Sequence, residues 1–300
     1  MNSQIFTYLK RKRLTDTRTV NRLFVSSFVL LSDLIIKNNY VIKSLLIDKE
    51  DEDFDLLQEF VSKIHHFHPA PMTIEDMISL FEFVISPADR IVTGAVYTPK
   101  YVRENIIETC LKIPNEHLQH IRVADIACGC GGFLMNVALF LHNNTGRSFY
   151  DIYQESVYGI DIQEYSVERT KILLSLLALL HGEDLDFNFN ILQANTLNFN
   201  TTEWNQDYTH FDVIVGNPPY VCSRNVDATT KEKMLQYEVC LSGHSDLYIP
   251  FFQIATEMLN DGGRLGFITM NSFIRSVNGR AVRNYFSRGI HDISILDFRG

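Results

Sequence analysis

Asn217-Pro218-Pro219-Tyr220 closes the apolar run Phe211-Asp212-Val213-Ile214-Val215-Gly216 and concentrates more chemistry than any other stretch of the chain. Two consecutive prolines fix two φ angles and remove two N–H donors, so the turn is stiff and presents carbonyl oxygens. The Asn217 amide oxygen and the Pro218 carbonyl can accept together from one –NH2 group, and the Tyr220 ring offers a face for stacking. That combination suits holding a planar, weakly nucleophilic nitrogen while a methyl group is delivered to it. An isolated Asn-Pro at a strand end reads as an ordinary turn. The second proline and the aromatic ring argue against that plainer reading here.

A second set of residues lies upstream. Val123-Ala124-Asp125-Ile126-Ala127-Cys128-Gly129-Cys130-Gly131-Gly132-Phe133 reads as a strand, a glycine-rich turn and a helix start. Glycines let a backbone pass close to a ligand, and a helix N-terminus favours a negative group such as a carboxylate. Taken alone the stretch equally suits a dinucleotide loop. Asp125 ahead of the glycines fits an ammonium group better than a pyrophosphate, and S-adenosylmethionine carries both an ammonium and a carboxylate. The next strand, Tyr158-Gly159-Ile160-Asp161-Ile162, ends in an acid able to accept two ribose hydroxyls, with Ile162 placed to cover an adenine face. An Asp161 that merely caps the following helix is compatible with this. The third strand ends Gln193-Ala194-Asn195-Thr196-Leu197, where an amide could meet the adenine edge, although Asn195 by itself reads as a turn residue.

These residues need a scaffold that delivers them to one edge. From about residue 90 onward, strands are expected at 122–126, 157–162, 189–193, 211–215, 264–270 and 293–298, and helices at 100–111, 132–143, 163–181, 247–260 and 279–288. That alternation predicts an α/β doubly wound sheet with ligands at the carboxyl ends of its strands. Residues 1–88 read as helical, with 20–38 as one helix and Thr73-Ile74-Glu75-Asp76 as the N-cap and acidic first turn of another, over 77–85. Ser86-Pro87-Ala88-Asp89 breaks the pattern. The expected organisation is therefore a helical region over 1–88 and a catalytic domain over 89–300.

Bulk properties set limits. Three hundred residues with 46% hydrophobic and 12% aromatic content make a globular chain with a sizeable core. The apolar runs 23–36 and 172–180 are short or interrupted, so no membrane span is expected, and the polar, basic N-terminus does not resemble a signal peptide. Five cysteines (110, 128, 130, 222 and 240) form no CxxC pair and read as reduced thiols in a cytoplasmic chain. His65-His66-Phe67-His68-Pro69 lacks a partner ligand set and reads as a surface loop, so no metal is expected. The net charge of −9 gives no general affinity for nucleic acid. The acids of 48–55 read as a solvated loop or helix end. Residues 261–300, with six arginines against three aspartates, leave either a basic rim beside the turn or ordinary surface arginines.

Together these motifs resemble the adenine-specific (N6) DNA methyltransferases of restriction–modification systems, in particular the large type II and type I modification enzymes. The resemblance covers about residues 93–300. It rests on Thr93-Gly94-Ala95-Val96-Tyr97-Thr98-Pro99, the Asp125 to Phe133 loop, Tyr158-Gly159-Ile160-Asp161, Gly216-Asn217-Pro218-Pro219-Tyr220, Ser245-Asp246-Leu247-Tyr248 and Gly262-Gly263-Arg264-Leu265-Gly266-Phe267-Ile268-Thr269, in that family's order. It implies a Rossmann-like class I S-adenosylmethionine-dependent methyltransferase sheet and S-adenosyl-L-methionine as cofactor. Its cofactor site would fall on Tyr97, Thr98, Pro99, Asp125, Ala127, Cys128, Gly129, Gly131, Phe133, Asp161, Ile162, Asn195, Thr196 and Asn217. Its catalytic turn would be Asn217, Pro218, Pro219 and Tyr220, acting on an adenine flipped out of double-stranded DNA. The chain departs from the family pattern at Ile126 (usually Pro), Cys130 (usually Ser) and Asn195 (often Asp).

Two other readings stay open. Release-factor glutamine methyltransferases also use Asn-Pro-Pro-Tyr, on a side-chain amide, and carry an N-terminal helical domain. The other alternative is a truncated, non-catalytic subunit that needs a partner chain. The family typically continues beyond the strand expected at 293–298 with a further strand, a second aromatic wall and a target-recognition domain, so the sheet is expected to lack its last strand here.

Overall fold

The computed structural model describes residues 3–14, 16–84, 98–200, 203, 210–241, 244–277, 279–289 and 292–297. Among the described residues five helices come first: α1 (Ser3–Lys12), α2 (Thr17–Leu31), α3 (Tyr40–Lys43), α4 (Phe54–Phe67) and α5 (Ile74–Phe83). Side chains start several of them. Asp16 accepts from Thr19 N, and Thr73 with Asp76 forms a reciprocal capping box that satisfies donors a helix start leaves over. Helix α2 stops at Leu31, short of the expected 38, with Asp33 in a left-handed conformation (φ 50°) just beyond it. His65 and His66 lie in the last turn of α4, not in a loop, because the apolar spacing of Leu57, Phe60 and Ile64 carries the helix through them. Among the described residues no group of His, Cys, Asp or Glu is placed to hold a metal.

The remainder runs α6 (Lys100–Cys110), α7 (Asn115–Leu118), β1 (Val123–Asp125), α8 (Gly132–Thr145), α9 (Phe149–Glu155), β2 (Val157–Asp161), α10 (Glu164–Leu180), β3 (Asn190–Gln193), β4 (Phe211–Gly216), α11 (Ala228–Met234), α12 (Ile249–Glu257), β5 (Leu259–Phe267), α13 (Ser272–Arg275) and α14 (Arg280–Gly289). All neighbouring strands pair in parallel, in the order β3-β2-β1-β4-β5. The chain winds outward from β1 in one direction and resumes at β4 in the other. The carboxyl ends of β1 and β4 thus flank the topological switch point, where an open α/β sheet leaves a crevice.

Side-chain alternation splits the interior into two cores. Val123, Val157, Ile191, Val213 and Val215 face one, with α8, α9, α10 and the N-terminal helices. Ala124, Tyr158, Ile160 and Ile214 face the other, with α12 and α14. Helix α10 is apolar over most of its circumference because it lies between the sheet and the N-terminal layer, and its Ile172 to Ala178 run is buried throughout. Leu23, Phe24 and Phe81 join the same cluster as Leu134 and Leu173.

Expected elements near the C-terminal end differ too. The last strand of the sheet, β5, covers 259–267 instead of 264–270, and the helix before it ends at Glu257 instead of 260. Its register against β4 jumps between Phe211–Leu259 and Val213–Arg264. Gly262 (φ 77°) and Gly263 form that irregularity, so an apparent loop is absorbed into the strand. The stretch 292–297 forms no strand, contrary to expectation, although it holds the apolar Ile293, Ile295 and Leu296. Those three are 57%, 53% and 63% exposed, and alternating apolar residues make a strand only where a neighbouring backbone pairs with them.

Candidate active site

The glycine turn after β1 is built by close approach. Gly131 has φ 88°, and a Cβ there would lie 2.9 Å from the Thr170 side chain of α10. Thr170 Oγ1 donates to the Gly129 carbonyl at 3.0 Å, so α10 is locked under the turn. Gly129 is also left-handed (φ 54°), but a Cβ there meets nothing within 4 Å. Space therefore lies open above the turn and is closed below it. Cys128 and Phe133, expected at the cofactor, are only 5% and 4% exposed and their side chains belong to the core beneath, so at most backbone and shape face the cleft. The departures Ile126 and Cys130 are buried too, and burial pushes the Cys130 thiol up to about 12.

Two carboxylates stand at this edge. Asp125 is 2% exposed, accepts from Ala127 N at 3.0 Å, and has its pKa pushed up to about 8, chiefly by burial and further by Asp161. Gly216 at the end of β4 makes room for it: a Cβ at that position would fall 2.6 Å from Asp125 Oδ1. Asp161 accepts from Gly129 N (2.9 Å) and Gln163 N (2.8 Å), while burial raises its pKa against those bonds. It thus closes the turn that leads into α10 and ties β2 to the glycine turn. Burial disfavours the charged form of both carboxyls, and a neighbouring positive charge would favour it again.

The turn after β4 is braced from three sides. Asn217 Nδ2 donates to Thr98 Oγ1 at 2.9 Å, and Thr98 is 5% exposed. Holding the nitrogen branch turns the oxygen branch of the amide away from Thr98. Ile268 N donates to the Gly216 carbonyl at 3.1 Å, and Tyr220 Oη donates to the Ile268 carbonyl at 2.7 Å. The Tyr220 ring meets Tyr248 edge-on at 6.2 Å, and Tyr248 Oη pairs with Ser272 Oγ at 2.8 Å. The Ser245-Asp246-Leu247-Tyr248 motif gains a role from this geometry. Asp246 Oδ1 accepts from Ser223 N (2.8 Å) and Leu247 N donates to the Val221 carbonyl (2.9 Å), clamping the chain just past Tyr220.

The remaining expected residues sort clearly. Pro99 caps α6 beside Thr98, and Ala127 is half-buried at the turn. Ile162 is 55% exposed next to Asp161, an apolar face open to a ligand. Asn195 Oδ1 accepts from Leu197 N at 3.0 Å, which matches its reading as a turn residue. Thr196 Oγ1 donates to the Ile126 carbonyl at 2.6 Å, a strut between the β3 and β1 ends. Tyr97 lies outside the described residues, as do Ser86-Pro87-Ala88-Asp89. Three of the C-terminal arginines are engaged within the fold: Arg264 donates to the carbonyls of Thr109, Cys110 and Lys112, Arg283 to those of Phe273 and Ser276, and Arg288 pairs with Glu238. Thr170 and Arg103 are absent from any motif, and no local spacing marks a residue that acts from another helix.

Residues 155–300 match the family model described as Eco57I restriction-modification methylase. The chain is 23% identical over 258 residues to the type II restriction enzyme and methyltransferase RM.Eco57I of Escherichia coli, covering 70% of this chain and 26% of that protein. Over its second half the chain is thus similar to the Eco57I restriction-modification methylases. A weaker match reaches a release factor glutamine methyltransferase of Clostridium botulinum, 30% identical over 178 residues, 57% of this chain and 54% of that protein. The restriction-modification relatives that the chain matches most extensively are longer: it spans 26–36% of their length. Among solved structures, the DrdV–DNA complex superposes with a TM-score of 0.64 at 17% identity, covering 89% of this chain and 31% of that one. The fold is that of the class I S-adenosylmethionine-dependent methyltransferases.

Proposed function

We propose that this chain transfers a methyl group from S-adenosyl-L-methionine to the exocyclic N6 amine of adenine in DNA, as the modification part of a restriction–modification system. The observation that carries the reading is the Asn217 amide, anchored through Nδ2 to Thr98 at the carboxyl end of β4, beside the buried Asp125 and the open glycine turn. The site's donors fit the cofactor. A buried carboxylate raised toward neutrality suits an ammonium, the helix start at Gly132 suits a carboxylate, Asp161 suits ribose hydroxyls and Ile162 suits an adenine face. When bound, S-adenosylmethionine supplies an electrophilic methyl on a sulfonium.

The chain's own residues do the rest. An adenine inside a duplex is out of reach, so the target base must be flipped out, with Tyr220 as one wall of its pocket. The prolines, the Ile268 bond and Tyr248 hold that wall still. Asn217 Oδ1 and the Pro218 carbonyl accept from the –NH2 group, localise its lone pair and stabilise the positive charge that develops on nitrogen. The amine's surplus proton leaves to water, and no side chain is assigned as general base. Residues 89–300 would form the catalytic unit and residues 1–88 a helical region supporting it. Reading of a specific DNA sequence would come from a target-recognition segment or a partner chain, since Arg264, Arg283 and Arg288 are engaged within the fold. A role on DNA places the chain in the cytoplasm. Among the described residues no helix is long and apolar enough to cross a membrane.

A second reading, methylation of a glutamine side-chain amide, is favoured by the release-factor match, because the same turn chemistry serves any planar –NH2. Labelled S-adenosylmethionine offered with duplex DNA and, separately, with a release factor separates the two. Label in N6-methyladenine supports the proposal. Label confined to the release factor replaces it.

A further inference from the structure

The N-terminal helices carry a carboxylate into the machinery that holds Asn217. Glu75, in the first turn of α5, sets both carboxylate oxygens 2.7 Å from Nη2 of Arg103 on α6. Arg103 is 1% exposed, and the rest of its guanidinium is committed. Its Nε donates to Asn136 Oδ1 of α8 at 2.8 Å, and its Nη1 donates to the Thr98 carbonyl at 2.5 Å. Thr98 Oγ1 then accepts from Asn217 Nδ2 at 2.9 Å. An unbroken run of polar contacts therefore joins Glu75 to the amide. Its central residue has its carbonyl gripped on one side and its hydroxyl gripping the amide on the other.

The geometry makes this more than a staple between helices. A guanidinium is planar and rigid, so three bonds in one plane fix the Thr98 carbonyl relative to α8, the helix that begins at the glycine turn. The stem of Arg103 runs along that helix start, where a Cβ on Gly132 would sit 3.4 Å from its Cδ and Nε. A buried guanidinium tolerates the loss of its carboxylate poorly, and any shift it makes reaches the Thr98 carbonyl that it holds. We propose that Glu75 and Arg103 are positioning residues that set the orientation of the Asn217 amide through Thr98. The N-terminal helical layer then belongs to the catalytic apparatus without touching substrate. This inference rests on the reading of Asn217 as the group that holds the target amine.

The test uses the full chain, with Glu75→Gln and Thr98→Val singly and together. In protein labelled with 15N-asparagine, the Asn217 side-chain amide pair is assigned by its loss in Asn217→Asp. Glu75→Gln is expected to move that pair in the same direction as Thr98→Val, and the double variant to stay where Thr98→Val alone puts it. In methyl transfer, each single variant is expected to lower kcat by about 10- to 100-fold, with the S-adenosylmethionine KM within about twofold. The double variant should be no slower than Thr98→Val alone. An unmoved Asn217 amide in folded Glu75→Gln protein, or losses that multiply in the double variant, would overturn the proposal. Should Glu75→Gln fail to fold, Glu75→Asp takes its place under the same criteria. The amide signal does not depend on turnover, so a wild type that transfers no methyl group counts against the proposed function and leaves this inference to the spectrum.

Discussion

At the scale of single residues, Asp125 is a carboxyl held far from its ordinary state by burial. Its pKa in the folded chain, about 8, lies well above that of an unfolded aspartate. Its contribution to stability is thus complete below about pH 4 and is lost as the pH rises toward 8, amounting to a few kcal/mol at order of magnitude. Asn cannot ionise, so the melting temperature of Asp125→Asn minus that of wild type should grow more positive from pH 5 to pH 8.5 in the cofactor-free protein. Scanning fluorimetry across that range checks it, and a difference independent of pH contradicts the buried-carboxyl account. The same variant should bind S-adenosylmethionine at least about tenfold more weakly at pH 8, because an ammonium would lose a charged partner. Isothermal titration reads that directly. Asn217, Asp125 and Asp161 were each legible in the sequence, since each sits where a strand meets a turn. The hydroxyl that anchors Asn217 was placed by its motif at the cofactor instead, because no spacing rule links positions 98 and 217.

Among the elements, the glycine turn and the helix beneath it make the sharpest forecast. Gly129→Ala meets open space and costs only the left-handed backbone strain, about 1 kcal/mol. Gly131→Ala adds a collision with Thr170, whose hydroxyl is tied to the Gly129 carbonyl, and should destabilise by about 1–3 kcal/mol more. Chemical denaturation of the two variants orders them, and equal costs would show that α10 does not close the turn from below. The doubly wound sheet and the ligand edge at the carboxyl ends of its strands followed from the rhythm of apolar runs and glycine turns, whereas the order of the strands is seen only in the structure. The boundaries of β5 did not follow from that rhythm either. Asp261-Gly262-Gly263 reads locally as a turn, yet β4 offers a pairing partner and the strand continues through a bulge. The alternating apolar residues of 292–297 show the converse, since a strand pattern without a neighbour makes no strand.

For the molecule as a whole, the N-terminal helices and the sheet share one core. Phe24 has no exposed surface and packs against Phe60 and Phe81, each 5.7 Å away between ring centroids, in the same cluster as Leu173 of α10. Phe24→Ala should cost about 3–5 kcal/mol, a fall of about 10 °C in melting temperature, in a single transition that also abolishes cofactor binding. Two separate transitions would show instead that the helical layer melts on its own. Apolar spacing showed that 1–88 is helical but could not show what it covers, because a helix's partner is fixed only in three dimensions. At the centre of the proposed function, the Asn217 amide holds an adenine N6 for methylation. The most direct test offers duplex DNA and tritiated S-adenosylmethionine to the wild type and to Asn217→Ala, followed by nucleoside analysis of the DNA. The prediction is label in N6-methyladenine from the wild type and a loss of at least about 100-fold in the variant, with cofactor affinity retained. Label at another base, or turnover by Asn217→Ala equal to wild type, would contradict it.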